Sequence, residues 1–247
     1  MIEVYWLDPY KREINTRVKD VRKVKKNVAI SLEENIFYPG GGGQPPDKGY
    51  IVLEEGGPIF ISKLLKIGSE VFLILPISEE ISINTPVYAK IDWNRRYKHM
   101  RCHTAAHVVM GAIRRKVKNY NPAGINILDD GESVIVKFRG DWSAYEDEAK
   151  QIIKIANDVI SRDLKVITEI YGNISKAIEK YEDIYRGPRN LTGEIRIVAI
   201  EGWDANPCGG THVRRLKEIG ELRYVRHNEQ EITFSIKKVI EDDQFPL

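Results

Sequence analysis

Two textures follow one another along the chain. Up to about residue 88 the apolar residues come in short runs, VAISL, GYIVLEE, PIFISKLL, EVFLILPI and TPVYAKI. These are parted by turn signals such as GG and SEE, with no sustained stripe at the helical period. The pattern predicts a small β-barrel over residues 1–88, interrupted by a loop at FYPGGGGQPPDKG (37–49). From residue 89 the period lengthens. NRRYKHMRCHTAAHVVMGAIRRKVK reads as a helix. DWSAYEDEAKQIIKIANDVISRD reads as a second, with Tyr145, Ala149, Ile152, Ile153, Ala156, Val159 and Ile160 on one face and Asp141 placed to cap its start. LKVITEIY is a strand, NISKAIEKYED a short helix capped by Asn173, EIRIVAIEG a strand, and ELRYVRH and EITFSIKKVI a hairpin joined by NEQ. The prediction is an α+β chain, with residues 89–247 forming an α/β sandwich and not a doubly wound sheet.

Bulk properties narrow the class. A length of 247 residues, 42% hydrophobic and 30% charged, describes a globular protein able to bury a sizeable core. No apolar run approaches the ~20 residues that span a bilayer, so no membrane partner is expected. MIEVYWLDPYKREI lacks the apolar core of a signal peptide. Two cysteines point to a reducing, cytoplasmic setting and not to a disulfide framework.

Charge changes the picture through its distribution. From Asn94 to Lys118 there are eight cations, Arg95, Arg96, Lys98, Arg101, Arg114, Arg115, Lys116 and Lys118, and no Asp or Glu. A second basic run, RVKDVRKVKK, occupies 17–26, whereas acids gather in SAYEDEAK at 143–150. Each run alone reads as a solvated face; together they predict a surface for a polyanion, with nucleic acid the favoured partner.

The chemistry concentrates in two pairs. His103 and His107 are four apart on the predicted helix and so share a face. PCGGTHV places Cys208 and His212 four apart around a glycine turn. Thiolate and imidazole donors suit zinc and disfavour magnesium or calcium. Thr104 stands where the zinc peptidase helix needs glutamate, so that reading fails. Two readings stay open: four ligands closing a structural site, or three with His212 behind them and an open position. Cys102 points about 100° away from the pair and is no fifth ligand.

HTAAH followed at long range by CGGTH, with GGGQ upstream, resembles the editing domain of alanyl-tRNA synthetase. The layout of FYPGGGGQPPDKG, DWNRRYKHMRCHTAAH and GWDANPCGGTHV is similar to the AlaX family of alanyl-tRNA editing proteins, in its medium-length type. The resemblance implies a trans-acting, ATP-independent hydrolase that removes serine from tRNA(Ala) while sparing alanine, with glycine as the further candidate substrate on which the sequence does not decide. It implies one zinc ion on His103, His107, Cys208 and His212, with Asp204 either orienting a histidine or shaping its loop. Gly41, Gly42, Gly43 and Gln44 match the motif that shapes the amino-acid pocket. Gln44, Thr104 and Thr211 are the candidate catalytic groups, although each threonine equally suits a local backbone bond. Asn35 stands where the family often has threonine and would contact the substrate. The acceptor stem of tRNA(Ala) would meet the eight cations of the helix. The tail EDDQFPL is too short for the additional C-terminal domain of long members. A zinc-clamped RNA-binding module without turnover, and a threonyl-type editing domain, remain the alternatives. Nothing in the sequence speaks to oligomeric state.

Overall fold

A computed structural model describes residues 2–54, 56–78, 80–142, 145–185 and 187–237; the tail that follows Ile240 lies outside them. The chain is a mixed α+β protein and divides into two units, one of residues 1–41 and 45–96, the other of residues 42–44 and 97–247. The glycine-rich loop is thus shared out, with Gly42–Gln44 belonging to the second unit.

In the first unit seven antiparallel strands run in the linear order Ile59–Phe60, Gly49–Leu53, Pro86–Ile91, Glu13–Val24, Asn27–Leu32, Glu70–Leu75, Lys63–Ile67. The 12-residue strand Glu13–Val24 pairs with Pro86–Ile91 through its first half and with Asn27–Leu32 through its second, the register shifting between Val18 and Asp20. A long strand shared in this way, bent at a bulge, curls the sheet around one core. Val18, Ile30, Leu32, Ile51, Leu73, Val87 and Ala89 all join that core, and all are buried. The result is a half-barrel. The sequence-predicted runs appear in it, but PIFISKLL is split into two strands, and the basic run at 17–26 is an exposed strand and turn.

The second unit combines helices with two sheets. We label the α-helices in chain order: α1 (Val4–Leu7) lies in the first unit, α2 (Trp93–Lys116) begins there and continues into the second, and α3 (Glu146–Ser161) and α4 (Ile174–Lys180) lie in the second. Lys118–Ile127, Ser133–Asp141, Glu231–Ile236 and Leu222–Asn228 form an antiparallel sheet in that order. Val166–Tyr171, Ile195–Ile200 and Asp204–Pro207 form another. Two expectations fail at one place. Lys118 starts a strand instead of ending a helix, and Asp141 ends a strand instead of capping α3, whose N-cap is Tyr145. Asn173 does cap α4, its side chain accepting from the Ser175 amide. No helix of the described residues is long and apolar enough to cross a membrane.

From Arg96 to Ile113, α2 is buried on nearly every side. A helix surrounded in this way belongs to the interior, and its polar residues must find internal partners. That requirement builds the site.

Candidate metal centre

On α2 the four-residue spacing brings His103 and His107 together, with ring centroids 5.4 Å apart. The loop after Asp204–Pro207 supplies Cys208 and His212. The ring of His212 lies 4.4 Å from that of His103 and 4.8 Å from that of His107. The Cys208 sulfur is 3.5 Å from Nε2 of His103 and 3.3 Å from Nε2 of His212. One donor atom from each of the four residues lies within 4.8 Å of all the others, a set that fits a single metal ion. His212 therefore stands with the other three donors and not behind them.

The outer hydrogen bonds decide which imidazole nitrogen is free. The Thr211 amide donates to Gln44 Oε1 at 3.0 Å, and Gln44 Nε2 donates to Thr211 Oγ1 at 2.8 Å, so the orientation of the Gln44 amide is fixed. The same Oε1 lies 2.8 Å from Nδ1 of His103. Facing an acceptor, Nδ1 must carry the proton, and the lone pair is left on Nε2, toward Cys208. Thr104 repeats the device. Its hydroxyl donates to Met100 O at 2.9 Å and accepts from the Val213 amide at 3.2 Å, so at His212 Nδ1, 3.1 Å away, it again acts as acceptor. Thr104 thus bonds its own helix and, through that bond, sets the tautomer of His212. Gln44, Thr104 and Thr211, read from sequence as catalytic, are buried, and this network engages their polar atoms. They hold the donors in place.

His107 is approached more loosely. Asp204 Oδ2 lies 3.7 Å from its Nδ1, beyond hydrogen-bonding range. The Asp204 carboxylate is taken instead by Arg114 at 2.8 Å and by Asn206. Burial pushes Asp204 up to about 6 against the pull of Arg114. Burial pushes His107 down to about 4 and holds His103 and His212 well below the usual imidazole range. All three rings are therefore neutral at physiological pH, as ligation requires. Burial raises the Cys208 thiol, opposed by the Gly210 amide and the charge of Arg196. Cys102 is buried, bonds Gly131 O at 3.1 Å, and is pushed up to about 12 by burial, which makes it inert.

One functional residue escaped sequence reading. Arg196, buried in the strand Ile195–Ile200, donates through Nη1 to Cys208 O at 2.8 Å and Gly210 O at 2.7 Å. It ties down the turn that carries two of the donors. The signal was present: one arginine inside the apolar run EIRIVAIEG.

The glycine loop shows why its residues are small. Gly40, Gly41, Gly42 and Gly43 all have positive φ. At Gly43 a Cβ would also lie 2.2 Å from Ile125 O, where the Gly43 carbonyl accepts from the Ile127 amide. Gly41 and Gly42 are exposed at the tip, and Tyr38 Oη donates to Gly41 O. Asn35 does not offer its amide to a substrate. It is wholly buried; its Nδ2 donates to Phe37 O and Glu3 Oε2, and its Oδ1 accepts from the Phe37 amide.

The helix cations also need correction. Arg96 and Arg101 are 0% and 5% exposed, so neither presents a guanidinium to RNA. Arg96 binds Asp47, Pro9 O and Ile36 O, and Arg101 binds Ile219 O and Lys237 O. Arg114 is paired with Asp204, Arg115 stacks on Trp203, Lys98 faces Glu132, Lys116 donates to Gln151, and Arg95 donates to Pro46 O. Lys118 is exposed at the start of its strand.

Since Gln44 fixes the proton of His103, Gln44→Ala should weaken metal binding about 10–100-fold while the four donors stay in the chain. A chelator-competition titration measures this. Unchanged affinity would remove Gln44 from the site's support.

The family model for the threonyl and alanyl tRNA synthetase second additional domain matches residues 195–232, which include Cys208 and His212. An alanyl-tRNA editing protein AlaX-L of Pyrococcus horikoshii is 33% identical over 228 residues, 92% of this chain and 54% of that protein. An alanine–tRNA ligase of Pyrococcus furiosus is 33% identical over 225 residues, 90% of this chain and 24% of the ligase. The chain therefore spans about half of the first relative and about a quarter of the second. An alanyl-tRNA editing protein AlaX-M of Methanosarcina barkeri is 30% identical over 232 residues, 90% of this chain and 91% of that protein. Matched along nearly the whole of that relative, the chain belongs to the AlaX family of alanyl-tRNA editing proteins.

Proposed function

We propose that the chain is a trans-editing hydrolase that cleaves the ester of Ser-tRNA(Ala) while sparing Ala-tRNA(Ala), in the cytoplasm. The observation that carries the reading is the convergence of three imidazoles and one thiol on a single point, two of the imidazoles with their outer nitrogen facing an acceptor. The implied metal is one zinc ion. The donor chemistry fits it: nitrogen and sulfur, four in number, with no carboxylate among them. Bound there, zinc would supply a Lewis acid beside the terminal ribose ester.

The remaining work falls to the chain's own groups. His103, His107, His212 and Cys208 hold the centre. Gln44 and Thr104 keep Nδ1 of His103 and His212 protonated, so that neither ring turns its N–H inward. The exposed peptide groups of Gly41 and Gly42 suit close approach of a small amino acid. Selectivity follows from polar satisfaction: a site that bonds the seryl hydroxyl rejects alanine strongly, since alanine leaves those groups unpaired. In this reading residues 1–88 form a barrel domain and 89–247 an α/β sandwich editing domain.

Four protein donors are also the count of a closed structural zinc site, and that favours a second reading, a metal-clamped RNA-binding module without turnover. One assay separates the two: deacylation of Ser-tRNA(Ala) against Ala-tRNA(Ala), with wild type beside His103→Ala. Serine released, alanine spared, and activity reduced at least ~100-fold in the variant is the expected result. A wild type that binds tRNA and one zinc but releases no serine would leave only the second reading.

A further inference from the structure

One group of exposed cations in the second unit lies off the helix that sequence analysis singled out. In the strand Ser133–Asp141, Val134, Val136 and Phe138 are buried, and alternation puts Ile135, Lys137 and Arg139 on the opposite, outer face of the sheet. Register carries that face across the sheet. Ile135 lies opposite Thr233 and Lys137 opposite Glu231; Thr233 then lies opposite Arg226, and Ser235 opposite Arg223.

Arg223 and Arg226 are three apart and would normally point to opposite faces. The register shift between Tyr224 and Arg226 inserts one residue, Val225, and turns both arginines outward. The bulge therefore has a consequence: it puts two arginines on the face that already carries Lys137 and Arg139. All four are exposed, and among the described residues no ion pair or hydrogen bond engages any of their side chains. Glu231 is the carboxylate in their midst, and Asp141, at the far end, accepts from Asn119. Arg139 and Arg226 are four residues and two strands apart, which places them about 17 Å from one another.

We propose that this outer sheet face binds the sugar–phosphate backbone of the tRNA substrate, a step that rests on the editing reading above. Arginines without internal partners fit phosphate oxygens, which they bind bidentately. A second copy of the chain is the poorer occupant, because a two-fold contact through this face would set like charges against each other.

The test combines Lys137→Gln, Arg139→Gln, Arg223→Gln and Arg226→Gln in one variant. Binding of unacylated tRNA(Ala) is followed by fluorescence anisotropy across a potassium chloride series. Metal content and melting temperature serve as checks of folding, and sedimentation velocity gives the oligomeric state. The expected result is Kd raised roughly tenfold or more, with the slope of log Kd against log salt lowered by about 3. Unchanged Kd and slope, in a wild type that binds tRNA and deacylates Ser-tRNA(Ala), would overturn the proposal and leave the editing reading standing. A dimer lost in the variant with tRNA binding intact would make the face a contact between copies, and would equally overturn it. A wild type that neither binds tRNA nor deacylates would remove the editing reading, and this proposal with it.

Discussion

Gly210→Ala should cost the protein its metal without removing a single donor. Gly210 sits between Cys208 and His212, and a Cβ built on it would lie 2.1 Å from Cε1 of His103, 2.3 Å from its Nδ1 and 3.0 Å from Gln44 Oε1. None of these neighbours is free to give. The ring is held by Gln44 on one side and faces Cys208 on the other. Gln44 is anchored in turn by Thr211, and the Gly210 carbonyl by Arg196. One methyl group therefore forces the ring, the amide or the turn out of register. By analogy with the loss of a supporting partner, metal affinity should fall about 10–100-fold, and deacylation with it. Gly57→Ala, which meets nothing within 4 Å, is the matched control. Chelator competition and bound-metal analysis on both variants measure the effect. If the Gly210 variant keeps wild-type affinity, the packing described between the turn and α2 is wrong.

This tight juxtaposition was only half legible in the chain. Spacing alone told that His103 and His107 share a helix face, and that Cys208 and His212 flank a turn, because such relations are local. It could not tell that Gln44 and Thr104 would each fix an imidazole proton, since those contacts depend on where segments meet. Arg196 was visible as an odd residue in an apolar strand, but its purpose appears only once two carbonyls of the ligand turn are seen around it.

The charge run misled for a geometric reason. At 100° per residue Arg95, Arg96 and Arg101 point in three different directions, and α2 is buried almost all round, so sign could not predict exposure. The strand Glu13–Val24 hid its alternation beneath lysines and arginines. Lys118–Ile127 hid its own behind a proline, a glycine and mostly exposed side chains. In both cases one face meets water, and the apolar half of the pattern is sparse.

Asp47→Ala should be the most destabilising of the substitutions considered, and its reason lies in the same burial of α2. Asp47 and Arg96 form an ion pair with both side chains at 0% exposure. Arg96 also donates to Pro9 O and Ile36 O, so its charge is embedded in the first unit from three sides. Asp47 does more than neutralise it. Its Oδ2 accepts from the Tyr38 amide at 2.7 Å while its own amide donates to Tyr38 O at 3.0 Å, which closes the neck of the glycine-rich loop. Removing the carboxylate leaves a guanidinium stranded in the core, a change that typically costs about 3–5 kcal/mol. For a chain of this size that corresponds to a fall in melting temperature of roughly 10 °C. Removing both charges, as Asp47→Leu with Arg96→Met, should recover part of the loss, because the desolvation penalty goes with them. Thermal unfolding followed by circular dichroism compares the single and double variants. A single variant that melts within about 2 °C of wild type would mean that water reaches Arg96, and that the neck of the loop is held by something other than this pair.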